Sequence, residues 1–145
     1  MLQLLYEAPL PASVTDIELV RLSEEHISDM LELTQLTQPG PFLTRTIDFG
    51  NYYGIFKSGK LVAMAGQRLK PMPFVEISAV CCHPDHLGKG YASRLIQHQV
   101  RIIKEVRAYP FLHVTKGNKE AIKLYDKLLF TKRKEMLITI LHKGQ

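Results

Sequence analysis

Between residues 75 and 93 the chain runs from an apolar stretch, through His83-Pro84-Asp85-His86, into Leu87-Gly88-Lys89-Gly90-Tyr91-Ala92-Ser93 and on into a long amphipathic segment. Glycines at 88 and 90 leave backbone N–H groups unshielded where a helix begins, and the helix dipole is positive at that end. Such a turn can hold a phosphate or a pyrophosphate. A Walker A loop would need four residues between its first glycine and Gly-Lys-Ser/Thr, and that spacing is absent. A dinucleotide-binding turn would need an acid about 20 residues on, whereas the next strand ends in Thr115-Lys116. Cys82, His83 and His86 lie close together, but neither a C-x-x-C nor an H-E-x-x-H pattern completes a zinc set, so no metal is expected. Cys82 has no identifiable base partner and reads as a structural thiol rather than a nucleophile. Glu76 is an acid on an otherwise mostly apolar strand.

The elements that must position these residues follow from periodicity. In Phe74 to Cys82, alternation puts Val75, Ile77, Ala79 and Cys81 on one face and Glu76, Ser78 and Val80 on the other. After the glycine turn, Ala92, Leu95, Ile96, Val100, Ile103 and Val106 keep helical spacing and predict an amphipathic helix packed on a sheet. Upstream, Ile17 to Leu22 alternates as a strand, and Ser23 with Glu24 and Glu25 starts a helix carrying Ile27, Met30, Leu31 and Leu33. Pro39-Gly40-Pro41 stops it, and a short loop or helix follows through Arg45. Tyr52 to Lys57 and Leu61 to Leu69 read as strands joined at Ser58-Gly59 by a tight hairpin. Downstream come a strand at Phe111 to Thr115, a helix capped by Asn118 with the stripe Ala121, Leu124, Tyr125 and Leu128, and a last strand at Met136 to Leu141. A meander followed by alternation of strands and helices places the fold in the α+β, or mixed α/β, class around one twisted sheet.

Composition agrees with one domain spanning 1–145. The 145 residues are 46% hydrophobic and 23% charged, which excludes a mostly disordered chain, and no apolar run reaches the roughly 18 residues of a membrane span. The first nine residues lack a basic stretch and are broken by Gln3, Glu7 and Pro9, unlike a signal peptide. Adjacent Cys81 and Cys82 are poorly placed for a disulfide, so free thiols and the cytoplasm are expected. Charge is divided unevenly: residues 1–85 hold 6 basic and 10 acidic side chains, residues 86–145 hold 13 and 4. The second half should attract anions and the first half cations.

Two blocks carry a resemblance to a known family. Leu87-Gly88-Lys89-Gly90-Tyr91-Ala92 is similar to the Gln/Arg-x-x-Gly-x-Gly/Ala acetyl-CoA loop of the GNAT superfamily of N-acetyltransferases, with Leu87 where Gln or Arg is usual. Val80-Cys81-Cys82-His83-Pro84-Asp85 resembles the strand that leads into that loop. Asn118 to Phe130 resembles the family's Asn-x-x-Ala-x-x-Leu-Tyr-x-x-Leu-Gly-Phe, with Leu129 where Gly is usual. The resemblance covers 57 residues, Phe74 to Phe130.

It implies a single, mostly antiparallel sheet flanked by helices, with a splayed parallel pair formed by Phe74 to Cys82 and Phe111 to Thr115. It also implies acetyl-CoA as cosubstrate, its pyrophosphate held by backbone N–H groups from Leu87, Gly88, Lys89 and Gly90 through Tyr91, Ala92 and Ser93. The pantetheine arm would run beside Val80, Cys81 and Cys82 and touch Asn118. A backbone N–H near Val80 or Cys81 would polarise the thioester carbonyl. Tyr125 would protonate the departing thiolate, and Glu76, its pKa raised by partial burial, would deprotonate the amine unless ordered water does so.

A primary amine is the expected acceptor, on a small molecule or a peptide. The acidic first half favours a cationic one, and Arg45, Tyr52 and Tyr53 are candidates for its cleft. A homodimer with a continued sheet is an option the family offers. Two other readings compete: a non-catalytic acyl-CoA-binding module, and a nucleic-acid-binding domain built on Lys116, Lys119, Lys123 and Lys127. The second lacks an accompanying aromatic or helix-turn-helix signature. His113 is expected to be a core histidine rather than a cleft group.

Overall fold

A computed structural model describes residues 1–39, 48 and 50–135. Seven strands form one sheet: β1 (Leu2–Tyr6), β2 (Val20–Arg21), β3 (Tyr53–Lys57), β4 (Lys60–Gln67), β5 (Phe74–Cys82), β6 (Tyr109–Val114) and β7 (Phe130–Glu135). Their spatial order is β2-β3-β4-β5-β6-β1-β7. Neighbours are antiparallel except β5 and β6. Among the described residues three α-helices accompany them, α1 (Ile27–Thr37), α2 (Tyr91–Glu105) and α3 (Lys119–Lys127). The mixed α/β class and the parallel pair follow the sequence reading.

Most elements begin where local chemistry says they should. Ser58 and Gly59 both take positive φ, 51° and 78°, as a two-residue hairpin turn requires. Asn118 Oδ1 accepts from the Ala121 amide at 3.2 Å and caps α3. In α2 the stripe Leu95, Ile96, Val100 and Ile103 is buried against the sheet, each side chain contributing roughly 1.5–3 kcal/mol of apolar burial. Val106, expected on that stripe, is instead exposed at the helix C-cap, where the turn has already swung away. Gln99 takes a place in the buried face: its amide donates to the carbonyls of Asn51 (2.7 Å) and Ala65 (2.9 Å) and accepts from Gln67 (2.9 Å). Each buried polar atom is matched, so α2 is locked to β4 in one register.

Two strands were not visible in the sequence. β1 lies before the first predicted strand, is antiparallel to both neighbours, and is inserted between β6 and β7. β7 starts at Phe130, and the predicted strand at 136–141 lies outside the described residues, as do Arg45 and the segment through it. The strand predicted at 17–22 is reduced to Val20–Arg21.

The alternation predicted for β5 fails at one point, with a consequence for the site. Val75 and Ile77 pack with Ile96, Val100 and Ile103 of α2, whereas Ala79 and Cys81 pack with Met30 and Leu33 of α1 on the opposite face. The cause is a β-bulge: Ser78 pairs with Gly66 and Cys81 with Met64, so Ala79 and Val80 together face Ala65. Ala79 sits at φ 55°, a strained setting for a non-glycine residue. The extra residue shifts parity, sending Val80 and Cys82 toward α2. Gly66, opposite the bulge, must be glycine because a Cβ there would meet the Tyr52 ring at 2.3 Å.

Candidate active site

β5 and β6 pair only from Phe74–Tyr109 to Glu76–Phe111 and then part. The gap opens into a cleft of about 760 Å³ reached from both faces of the sheet. Tyr52, Arg68, Glu76 and Gln38 line it on the α1 side, Asn118, Ala121 and Tyr125 on the α3 side, and the bulge from Ser78 to Cys82 forms its edge. A cleft through a sheet admits two molecules that meet in the middle.

At one end of β5 lies the glycine turn. His83 Nδ1 accepts from the Asp85 amide at 3.0 Å, and Pro84 opens a single 3₁₀ turn, so His83 serves the turn. His86 stacks on Tyr91 at 6.2 Å. Gly88 and Gly90 both have φ 78°. Gly90 is the N-cap of α2, and a Cβ on it would lie 2.0 Å from Arg94 Nη1. No side chain caps this terminus and no acidic residue stands in its first turn. The N–H groups of Tyr91, Ala92 and Ser93 precede the first α-helical bond, which Arg94 makes to Gly90 at 3.1 Å. An uncapped positive helix end, entered through a left-handed glycine at 90, fits a pyrophosphate. Leu87 is 65% exposed and contributes no packing. Arg94 is held by Asp16, whose carboxyl is kept below its usual range chiefly by the guanidinium's hydrogen bond.

The thiols beside this turn are inert. Burial pushes Cys81 up to about 11 and also raises Cys82, whose Sγ–H donates to the His86 carbonyl at 3.5 Å. Tyr125 is buried, packs edge-on to Phe130, and lines the cleft, so its core and cleft positions coincide. Burial lifts its phenol to about 12, which keeps the proton on it at neutral pH. Of the aromatic cleft candidates, Tyr52 lines the site, whereas Tyr53 packs edge-on against His98, 4.3 Å away and apart from the cleft.

Glu76 differs from its sequence reading. It is 2% exposed, yet its carboxyl is held below the usual range: burial raises it, but hydrogen bonds from His113 and Arg68 together outweigh that effect. Arg68 donates through Nε to Oε1 (3.1 Å) and through Nη2 to Oε2 (3.2 Å), and His113 Nδ1 lies 2.8 Å from Oε2. Beyond it, His113 Nε2 faces Gln3 Nε2 at 3.3 Å, while Gln3 Oε1 accepts from Arg133 at 2.9 Å. Because Arg133 takes the amide oxygen, Gln3 presents its NH₂ to His113 Nε2, which must therefore be the unprotonated nitrogen. The ring proton on Nδ1 is then the one directed at Glu76. Three donors occupy the carboxylate, so Glu76 is a poor proton acceptor.

The row Arg68, Glu76, His113, Gln3, Arg133 crosses five neighbouring strands, from just past the end of β4 through β5, β6 and β1 to β7. Sequence reasoning missed Arg68, Gln3 and Arg133 and assigned His113 to the core, because nothing local links them.

The comparisons with known proteins bear on this geometry. Residues 52–138 match the FR47-like protein family, which spans both the bulged strand and the glycine turn. A GNAT-family protein from Novosphingobium aromaticivorans superposes with a TM-score of 0.87 over 92% of the chain at 36% identity. The chain belongs to the GNAT superfamily. It spans 59% of the length of that Novosphingobium protein. The ribosomal-protein-S18-alanine N-acetyltransferase of Escherichia coli shares the GNAT fold seen here, with a TM-score of 0.70 at 19% identity over 81% of this chain and 79% of its own. Rv2747 of Mycobacterium tuberculosis, solved in complex with CoA, does so with a TM-score of 0.68 at 11% identity over 87% and 80%. No curated protein matches the chain significantly in sequence. Among the described residues no cluster of His, Cys, Asp or Glu is arranged to hold a metal ion, and no helix is long and apolar enough to cross a membrane.

Proposed function

We propose that this GNAT member transfers an acetyl group from acetyl-CoA to a primary amine by direct attack within a ternary complex. The observation that carries the reading is the cleft between the parted strands, edged by the bulge of β5 and walled by Tyr125, with the uncapped N-terminus of α2 following β5 in the chain. The pyrophosphate of the donor rests on the backbone from Gly88 to Ser93, within the half of the sequence that holds the excess of basic residues. Val80, Cys81 and Cys82 flank the pantetheine arm, and Asn118, whose Oδ1 serves α3, has its amide NH₂ left to offer it.

In the reaction the amine nitrogen forms a bond to the thioester carbonyl carbon and the carbon–sulfur bond breaks. The ammonium form of the acceptor loses one proton to water before attack and a second as the amide forms. Tyr125 gives its proton to the leaving thiolate and regains one from the proton released by the amine. A phenol of pKa about 12 is a weaker acid than a thiol of pKa about 8.5, so this transfer alone is uphill, and it is completed by return of the amine's second proton to the tyrosinate. A backbone N–H at the bulge, near Val80 or Cys81, polarises the carbonyl; a comparable donor elsewhere contributes about 10² in rate. Glu76, saturated by three donors, is the positioning group for Arg68 and His113, and ordered water takes the amine's proton. The free thiols and the donor suit a reducing cytoplasm.

The test is release of CoA thiol, followed with a thiol-reactive chromophore, when acetyl-CoA and a panel of primary amines are mixed with the protein. Amine-dependent release supports transfer. Tight acetyl-CoA binding without release for any amine would favour the non-catalytic acyl-CoA-binding reading instead.

A further inference from the structure

The acceptor side of the cleft holds a charge pattern that the first half's acidity does not prepare for. Glu76 is the sole acid lining the cleft among the described residues, and it is consumed by Arg68 and His113. Glu24, Glu25 and Glu32 are exposed and line no part of it. Of the five-strand row, Arg68, Glu76 and His113 line the cleft, and the single carboxylate there is already engaged by both of its neighbours, so the lining offers no free acid to a cation.

Arg68 is the member of the row that reaches the cavity. Its side chain is 43% exposed and lines the cleft, while its Nε and one Nη2 hydrogen are spent on Glu76. A guanidinium has five N–H donors in one plane. Engaging the Nε/Nη2 edge leaves the Nη1/Nη2 edge, the fork that matches a carboxylate with two parallel hydrogen bonds. The buried carboxylate of Glu76, fixed from its other side by His113, holds that plane still. A cation anchored in this way has an open face toward incoming substrate and a fixed orientation, whereas a lone surface arginine would have neither.

Resting on the acetyltransferase reading, we propose that the acceptor is an amine that also carries a carboxylate, as a free amino acid does, and that the Nη1/Nη2 edge of Arg68 binds that carboxylate. Glu76 acts as a positioning residue in this scheme. A polycation would meet Arg68 with like charge and no compensating acid.

The experiment measures acetyl transfer from acetyl-CoA to each of the twenty free amino acids, to their amides and methyl esters, and to spermidine, with calorimetric acetyl-CoA binding measured on the same protein. The proposal expects at least one free amino acid to be acetylated with kcat/KM at least tenfold above its own amide and ester, which keep the amine and lose the charge. In Arg68→Lys, which keeps the charge and loses the fork, KM for the free acid should rise tenfold or more while the amide is little affected and the acetyl-CoA Kd stays as it was. Equal use of acid and amide, preference for spermidine, or a uniform loss on all acceptors in Arg68→Lys would overturn it. Acetyl-CoA binding with no amino acid acetylated would also count against the proposal while leaving the cofactor reading intact. Absence of acetyl-CoA binding would bring down the parent reading. The wild-type comparison of acid with amide needs no variant to fold.

Discussion

The two ends of the cleft are built on opposite plans. The glycine turn and the start of α2 are one continuous stretch, residues 82–93, whose working parts are backbone N–H groups. The floor is the cleft-lining part, Arg68, Glu76 and His113, of a row of five side chains contributed one each by β4's end, β5, β6, β1 and β7. A local device can be written in a motif because glycine and helix position alone define it. A row across strands depends on sheet order, and here on an N-terminal strand that enters between β6 and β7. One end therefore suits an invariant cosubstrate, and the other can change partner by changing single side chains.

That contrast can be broken or sharpened by substitution. The largest effect should come from Tyr125→Phe, on the wall between the two ends: kcat for transfer should fall about 10²- to 10³-fold, as for loss of a general acid, with acetyl-CoA affinity unchanged. Stopped-flow thiol release against calorimetric binding separates the two quantities, and a parallel loss of binding would return Tyr125 to a packing role.

Glu76→Gln tests the floor. Removing the charge breaks the pairing of a buried carboxylate with a partly exposed arginine, for an expected loss of about 2 kcal/mol in denaturant unfolding at pH 7. The sign with pH is set by the lowered carboxyl of Glu76. Its contribution is present above the unfolded carboxyl value of about 4.3 and is lost as pH falls through the folded value below that. The stability gap between wild type and Glu76→Gln should accordingly close in that acid window. A gap that persists there would mean the pair does not stabilise the fold. With water rather than Glu76 proposed to take the amine's proton, an unchanged acidic limb in the rate profile of Glu76→Gln is expected for the amide acceptors.

Much of the local end was legible in advance. Gly88, Gly90, the His83-Pro84 turn and the capped α3 are where the spacing put them, because each is governed by residues within a turn of one another. Alternation in β5 was readable as far as Ser78 and failed at Ala79, since a bulge is decided by the partner strand and by Tyr52 filling the space over Gly66. Burial of Glu76 was foreseen and its consequence was not, because the donors that lower its pKa lie 8 and 37 residues away. β1 and β7 escaped for related reasons: Thr131 to Glu135 is exposed and almost wholly charged, so its strand is set by pairing with β1 and carries no apolar alternation.

Smaller effects belong to the two departures from the family pattern. Leu87, exposed and unpacked, can be replaced at no cost to the core. Leu87→Arg should tighten acetyl-CoA binding about threefold to tenfold, one charged hydrogen bond at the turn, measured by calorimetry. No change would show that the main chain already supplies every contact there. Leu129, where the family has glycine, sits at φ 76° just beyond α3 and is 58% exposed. Leu129→Gly should relieve a left-handed leucine and raise stability by about 0.5–1 kcal/mol in thermal unfolding, with acetyl-CoA binding unaffected.

The central claim is that the uncapped start of α2, entered through a left-handed Gly90, holds the pyrophosphate of acetyl-CoA. Calorimetric titration with acetyl-CoA, with dephospho-CoA, NAD and ATP as comparators, on the wild type and on Gly90→Asp tests it most directly. The expected result is selective binding of acetyl-CoA by the wild type, weakened at least 100-fold by Gly90→Asp, which places a Cβ against Arg94 and a carboxylate where the phosphates would lie. Equal affinity in the two proteins, or no preference for acetyl-CoA over NAD and ATP, would contradict it.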